Sequence, residues 1–225
     1  MIDKVKNEEI NRQLDKLYQS VTEEFLWEYR RAFSNDPAPP SRINEFGIID
    51  PQQYDADSGL LVICRETNGW DNQDFEDGYL LRECLGDIAQ EGLPPSVMPS
   101  ARMWYNLGRW LTLIEDPQRE LSQLAREKES ALPALGRVAF TNINKVRGEG
   151  ASQGKYWKLV YTDVAKRTLQ KELEILCPRK VLLCGTEWPF VNLAPEFDMT
   201  KALIMYHPGA RKGVVEMLEQ LRAQL

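Results

Sequence analysis

The chain has 225 residues, 43% of them hydrophobic and 28% charged, with a formal net charge of −6. That composition belongs to a folded globular protein and excludes wholesale disorder. A chain of this length buries roughly 70% or more of its unfolded surface without needing disulfide or metal staples. No apolar run approaches the roughly 18 residues of a membrane span, and residues 1–14 (MIDKVKNEEINRQL) carry no apolar segment of the secretory type. A cytoplasmic, monomeric protein that does not engage membranes is expected.

Residues 3–34 predict one long amphipathic helix, because Leu14, Leu17, Tyr18, Val21, Phe25 and Tyr29 recur at three- and four-residue spacing. It should stop before DPAPP (36–40), where proline removes donors and blocks the helical path. Residues 35–58 predict a loop-rich connection. Four short apolar runs follow: residues 60–64 (LLVIC), 138–140 (VAF), 180–184 (KVLLC) and 202–205 (ALIM). Runs of this length without polar alternation suit strands buried on both faces, hence parallel strands. Helical patterns occupy residues 74–90, 100–115, 157–176 and 209–224. The alternation predicts an α/β fold: a three-layer α/β/α sandwich with a central four-stranded parallel sheet and an N-terminal helical extension. Residues 1–57 form the extension, packed on a main domain of residues 58–225.

The four cysteines, Cys64, Cys84, Cys177 and Cys184, have no metal-ligand or disulfide spacing and are expected to be buried free thiols. With one histidine in the chain, a two-histidine metal site is impossible. Charge is unevenly spread. Residues 43–100 hold two basic and twelve acidic residues, whereas residues 137–180 hold ten basic and four acidic ones. Such a basic stripe can bind an anion locally on an acidic protein, because exposed charges are screened beyond roughly 8 Å. Within it, residues 148–155 (GEGASQGK) fail the P-loop pattern in glycine spacing and in Tyr156, which stands where Ser or Thr would ligate magnesium. A flexible basic loop is expected there.

Ligands of open parallel sheets collect at the C-terminal ends of the strands. Three polar residues lie there. Glu66 follows the first strand, Asn142 ends the second, and His207 follows the last. Each has a plain reading: Glu66 as a loop acid capping backbone, Asn142 as a turn residue and His207 as an imidazole satisfied by backbone. Together they place a carboxylate, an amide able to meet a planar ligand and an imidazole on three strand ends of one sheet. Pro208 suits a first helical position, which would leave the Gly209 and Ala210 N–H groups free for a phosphate.

These segments, in this order, resemble the uracil-DNA glycosylase superfamily over roughly residues 58–220. LLVICRETNG resembles its first motif, RVAFTNINKV the strand ending in the base-reading Asn, KVLLCGTEW the next strand and turn, and MYHPGAR its His-Pro-Ser motif with the following minor-groove loop. Cys64 stands in place of the usual glycine, Thr67 of the proline, Gly209 of the serine, and Glu66 is one methylene longer than the usual Asp. The resemblance implies a monofunctional DNA glycosylase that hydrolyses the N-glycosidic bond of a flipped-out uracil or modified pyrimidine, in DNA repair or in defence against modified phage DNA. It assigns Glu66 and His207 as catalytic, and Asn142, Asn68, Trp70 and Phe75 to the base. Lys145, Arg147, Lys155, Lys158, Gly209 and Arg211 fall to the DNA, Arg211 as the wedge that fills the emptied stack. DNA containing uracil or a modified base is the implied partner, and no cofactor or metal is implied. The competing expectation is a catalytically inactive glycosylase fold that binds nucleic acid or protein.

Overall fold

The computed structural model describes residues 2–36, 39–57, 59–65, 81–146 and 153–225; at 96, 97, 99 and 153–156 it describes the backbone. Five strands form one sheet: β1 (Gly47–Ile48), β2 (Leu60–Cys64), β3 (Ala139–Asn142), β4 (Lys180–Cys184) and β5 (Ala202–Met205). Their order is β1-β3-β2-β4-β5, with β2 to β5 parallel and β1 antiparallel on β3. The four predicted runs are therefore the four parallel strands. The sheet is five-stranded rather than four-stranded, because Gly47–Ile48 pairs with Ala139–Phe140 inside the stretch expected to be loop.

The apolar runs are buried as two-sided strands require. Leu61 to Cys64 and Val181 to Cys184 are fully enclosed. β5 is an edge strand and alternates instead. Its outer backbone is closed by a side chain, since Gln224 accepts from the Ile204 N–H (2.8 Å) and donates to its carbonyl (3.0 Å). That leaves less unpaired edge for another strand to join.

Eight α-helices occur among the described residues, and they fall into two contact groups. Helix α1 (Lys4–Ala32) packs on β1, on α5 (Gln153–Val160) and on α6 (Asp163–Leu176), and α6 meets α7 (Glu187–Leu193). The 3₁₀ stretch Glu129–Arg137 joins α2 (Leu81–Glu91) to α3 (Ala101–Glu115). Helix α8 (Val214–Arg222) contacts α3, the short α4 (Leu121–Leu124) and β5. Tyr18, Phe25, Phe46 and Ile48, all before residue 58, belong to the same continuous buried cluster as the sheet. Among the described residues no helix is long and apolar enough to cross a membrane.

Three helical expectations change. The helix expected over 74–90 is described from Leu81 onward; its earlier part lies outside the described residues. The helix expected over 157–176 is two helices, broken at Tyr161-Thr162. Thr162 adopts an extended backbone and its side chain accepts from the Ala165 N–H, so it caps α6 and starts it afresh. Helix α5 already begins at Gln153, within the stretch expected to be a loop. The last helix starts at Val214, five residues later than expected. Thr162→Ala should lower the unfolding free energy by about 1 kcal/mol, the usual weight of an N-cap. Urea denaturation followed by tryptophan fluorescence would show it as a lower midpoint at unchanged slope; an unchanged midpoint would mean the cap carries no weight.

Cysteine burial also needs one correction. Cys64, Cys84 and Cys184 are buried, but Cys177 is exposed. It terminates α6 in the left-handed region (φ 44°), turned outward ahead of Pro178.

Candidate functional site

The chain leaves β2 toward β3 on one side of the sheet and later leaves β4 toward β5 on the other. The connections therefore diverge between β2 and β4, and the crevice above their C-terminal ends is where such sheets bind ligands. Four segments rim it: the end of β2 at Arg65, the end of β3 at Asn142, the β4 turn at Gly185-Thr186, and Tyr206-His207 after β5.

Backbone bonds fix the floor. Ile143 and Asn144 N–H groups donate to the Cys64 and Arg65 carbonyls (2.9 and 3.0 Å), prolonging the β3–β2 pairing past the strand. Thr186, fully buried, donates its hydroxyl to the Ile63 carbonyl at 2.9 Å, tying the β4 turn across to β2. The Gly185 N–H donates to the Met205 carbonyl at 2.7 Å. Gly185 sits at φ 70°, and a Cβ there would stand 3.1 Å from the His207 backbone nitrogen. Glycine is required twice over at that point: for its backbone conformation and for the close passage of the His207 segment.

His207 is held by its own turn. The Gly209 N–H donates to Nδ1 at 3.1 Å, which makes Nδ1 an acceptor and leaves the proton of the neutral ring on Nε2. A Cβ at Gly209 would lie 3.2 Å from that same Nδ1. The turn is anchored from α3, where buried Asn106 donates to the Pro208 carbonyl at 2.7 Å and accepts from Arg109 at 3.0 Å. Burial pushes the His207 pKa below the ordinary histidine value, and the positive Arg65 adds to the shift. The His207 backbone and Cβ pass directly beside Gly185 at the end of β4.

This arrangement corrects the expected anion site. The Gly209 N–H is spent on Nδ1 and the Ala210 N–H on the His207 carbonyl (2.8 Å). The segment closes on itself as a turn, so no helix N-terminus with free N–H groups exists at Pro208. Arg211 is exposed beyond the turn, and Lys212 lies 3.8 Å over the Tyr206 ring.

Asn142 is buried, and among the described residues its Oδ1 has no hydrogen-bond partner. A buried amide oxygen is disfavoured without a hydrogen-bond partner, so this one calls for a donor beyond the described residues.

Lys145 is a correction. It was expected on phosphates, yet it is completely buried, with its ammonium 2.7 and 2.8 Å from the two Glu172 oxygens. It also donates to the Thr141 hydroxyl and the Asn142 carbonyl, each at 2.6 Å. Burial lowers its pKa while Glu172 opposes the shift. The wider basic stripe is partly spent in the same way: Arg137 pairs with Glu115, Arg167 with Glu24 and Lys171 with Glu174. Lys158 is exposed, its ammonium 5.7 Å from the Phe33 ring. Glu66, Asn68, Trp70, Phe75 and Arg147 lie outside the described residues, as does the side chain of Lys155. Among the described residues no three His, Cys, Asp or Glu side chains gather as metal ligands do.

The sequence marks residues 185–187 as a strand-end segment without giving Gly185 or Thr186 a role, and it passes over Asn106. Asn106 did carry a signal: an amide on the buried stripe of α3, between Trp104 and Trp110.

No protein-family model matches the chain, and no curated protein matches it.

The single histidine allows a direct test of its environment, since one imidazole signal serves the whole chain. Its NMR titration should have a midpoint below about 6.5, the ordinary value. A depressed folded pKa means the unfolded chain binds the proton more tightly. The stability that neutral His207 supplies is thus complete above about pH 6.5 and is lost as pH falls from there through the folded value. A midpoint at or above 6.5 would contradict the buried, neutral ring.

Proposed function

We propose that the protein is a DNA glycosylase that hydrolyses the N-glycosidic bond of a flipped-out uracil or modified pyrimidine, built as a three-layer relative of the uracil-DNA glycosylase superfamily. The observation that carries this is the buried Asn142 Oδ1, without a partner among the described residues, at the same sheet edge as a His207 whose neutral ring keeps its proton on Nε2. β3 and β5 are three strand spacings apart, about 14 Å at roughly 4.8 Å each. Side chains reaching inward from those two ends would leave room for one planar heterocycle. Asn142 would accept from the base edge, and His207 would donate from Nε2 to the carbonyl oxygen on which negative charge develops.

The reaction balances simply. Water attacks the anomeric carbon of the deoxyribose and loses a proton to Glu66. The base leaves with the electron pair of the glycosidic bond, steadied by His207, and an abasic sugar remains. An anionic Glu66 would also steady the positive charge on the sugar as the bond breaks. Extruding the base takes a few kcal/mol, which Arg211 would offset in part by filling the gap; Lys158 would contact phosphate.

A second reading is supported by the paired basic stripe. With Lys145, Arg137, Arg167 and Lys171 spent on carboxylates, less charge is left for DNA than the sequence promised. That favours a fold kept for binding protein, without chemistry. A panel of oligonucleotides carrying uracil and different modified pyrimidines, scored for abasic sites, separates the two. The glycosylase reading expects release from at least one base, abolished in His207→Ala. No release from any substrate sinks it.

A further inference from the structure

We propose that Lys145 is a positioning residue for Asn142, so that the buried Lys145–Glu172 pair sets how selectively the site reads a base. The inference rests on the glycosylase reading for its consequence, though not for its geometry.

Asn142 is the last residue of β3, and the two edges of β3 are held differently. Toward β2, the pairing runs on past the strand through the Ile143 N–H. In a parallel ladder alternate residues point their backbone groups to opposite sides, so the Asn142 carbonyl points to the other edge. There the partner strand has ended: β1 pairs only with Ala139 and Phe140. Without Lys145 the Asn142 carbonyl would keep only a long contact from the Thr141 hydroxyl (3.5 Å) at the point where the reading amide is mounted. Lys145, three residues on, turns back and supplies the missing donor at 2.6 Å.

The ammonium is itself held on all sides. Its other donors go to the Thr141 hydroxyl and to Glu172, while the Phe46 ring lies 5.1 Å away. Glu172 also accepts from the Tyr18 hydroxyl and from Thr141 at 3.1 Å. Helix α1, strand β3 and helix α6 thus converge on one charged donor aimed at one carbonyl. Charged donors make the shorter and stronger hydrogen bonds, and a fully satisfied buried network rigidifies what it holds. Fixing the peptide plane after Asn142 fixes its Cα–Cβ direction. The side-chain Oδ1 has no partner of its own among the described residues, so the held backbone is what aims it.

Lys145→Met with Glu172→Met tests the proposal. Replacing both members of a buried pair by apolar residues of similar size is often neutral for stability, so the fold should survive while the carbonyl clamp is lost. The expected result is a drop of 10-fold or more in the kcat/KM ratio between the preferred base and its nearest competitor, in a protein that stays folded and melts lower only by what the unpaired Tyr18 hydroxyl costs. Lys145→Gln with Glu172→Gln keeps a neutral donor for the carbonyl and should restore the ratio to within about 3-fold. A ratio unchanged in a folded Met pair reduces the network to scaffolding and overturns the proposal.

The positioning claim also has a readout without catalysis. The Asn142 side-chain amide, assigned by its disappearance in Asn142→Ala, should be rigid in the wild type by NMR relaxation and mobile in the Met pair. An order parameter below about 0.6 in the wild type, or no change in a folded Met pair, overturns it. If the wild type releases no base from any oligonucleotide, the glycosylase reading falls and this NMR comparison alone decides the geometry.

Discussion

Replacing Glu172 with Leu is expected to destabilise the protein by about 3–5 kcal/mol, the largest stability loss of any single change considered for this fold. Lys145 has no exposed surface, and its charge is balanced within contact distance by Glu172. Removing the carboxylate leaves an ammonium in the interior with only a hydroxyl and a carbonyl to meet it. It also strips the acceptor from the buried Tyr18 hydroxyl, whose pKa already stands well above the ordinary tyrosine value because of burial and of Glu172. For a chain of this size each kcal/mol corresponds to about 2–4 °C in melting temperature, so a fall of roughly 10 °C is expected in a thermal scan. The paired replacement of Lys145 and Glu172 should return most of it. If Glu172→Leu melts like the wild type, water reaches the Lys145 ammonium in solution and the pair is not part of a closed interior.

That network also marks where the sequence stopped being informative. Lys145 was placed on DNA because a lysine in a basic stretch is exposed by default. Its partner Glu172 lies 27 positions further on, and Tyr18 lies 154 positions before Glu172. No local pattern links three such residues; only the packing of α1 and α6 around the end of β3 does. The parallel strands were legible for the opposite reason. Each is a short continuous apolar run whose burial is decided by its own residues. β1 was not, because two residues carry no periodicity. Its backbone is held by Asn11 of α1, whose amide accepts from the Ile48 N–H and donates to the Ile48 carbonyl, each at 2.9 Å. The Pro208 turn failed as a helix start through one side chain: the imidazole captured the N–H that a helix would have left free. His207 and Asn142 could be placed from sequence, because position at the end of a buried strand is itself local information.

His207→Ala should reduce base release by about 10²–10³-fold, the usual effect of removing one preorganised donor from a developing oxyanion. The geometry sets the form of the loss. Nδ1 is occupied by the Gly209 N–H and the ring is held neutral by burial beside Arg65. The donor is thus an Nε2–H that needs no proton from solution at pH 7. Activity should then stay level as pH rises above neutrality, and should fall only at low pH, where the ring gains a second proton or the carboxylate that takes the proton from water is itself protonated. Glu66→Gln is expected to lower release by about 10²-fold through the other half of the proposed reaction, since it keeps the size of the side chain but removes the charge that this reaction asks of it. The two losses arise at opposite ends of one breaking bond. A base that leaves more easily, such as one with an electron-withdrawing 5-substituent, should therefore recover much of the His207→Ala loss and little of the Glu66→Gln loss. Equal recovery in both variants would mean that His207 does not touch the leaving base. An activity that disappears as pH rises through the histidine range would mean that the working form is the imidazolium, against a ring held neutral in its turn.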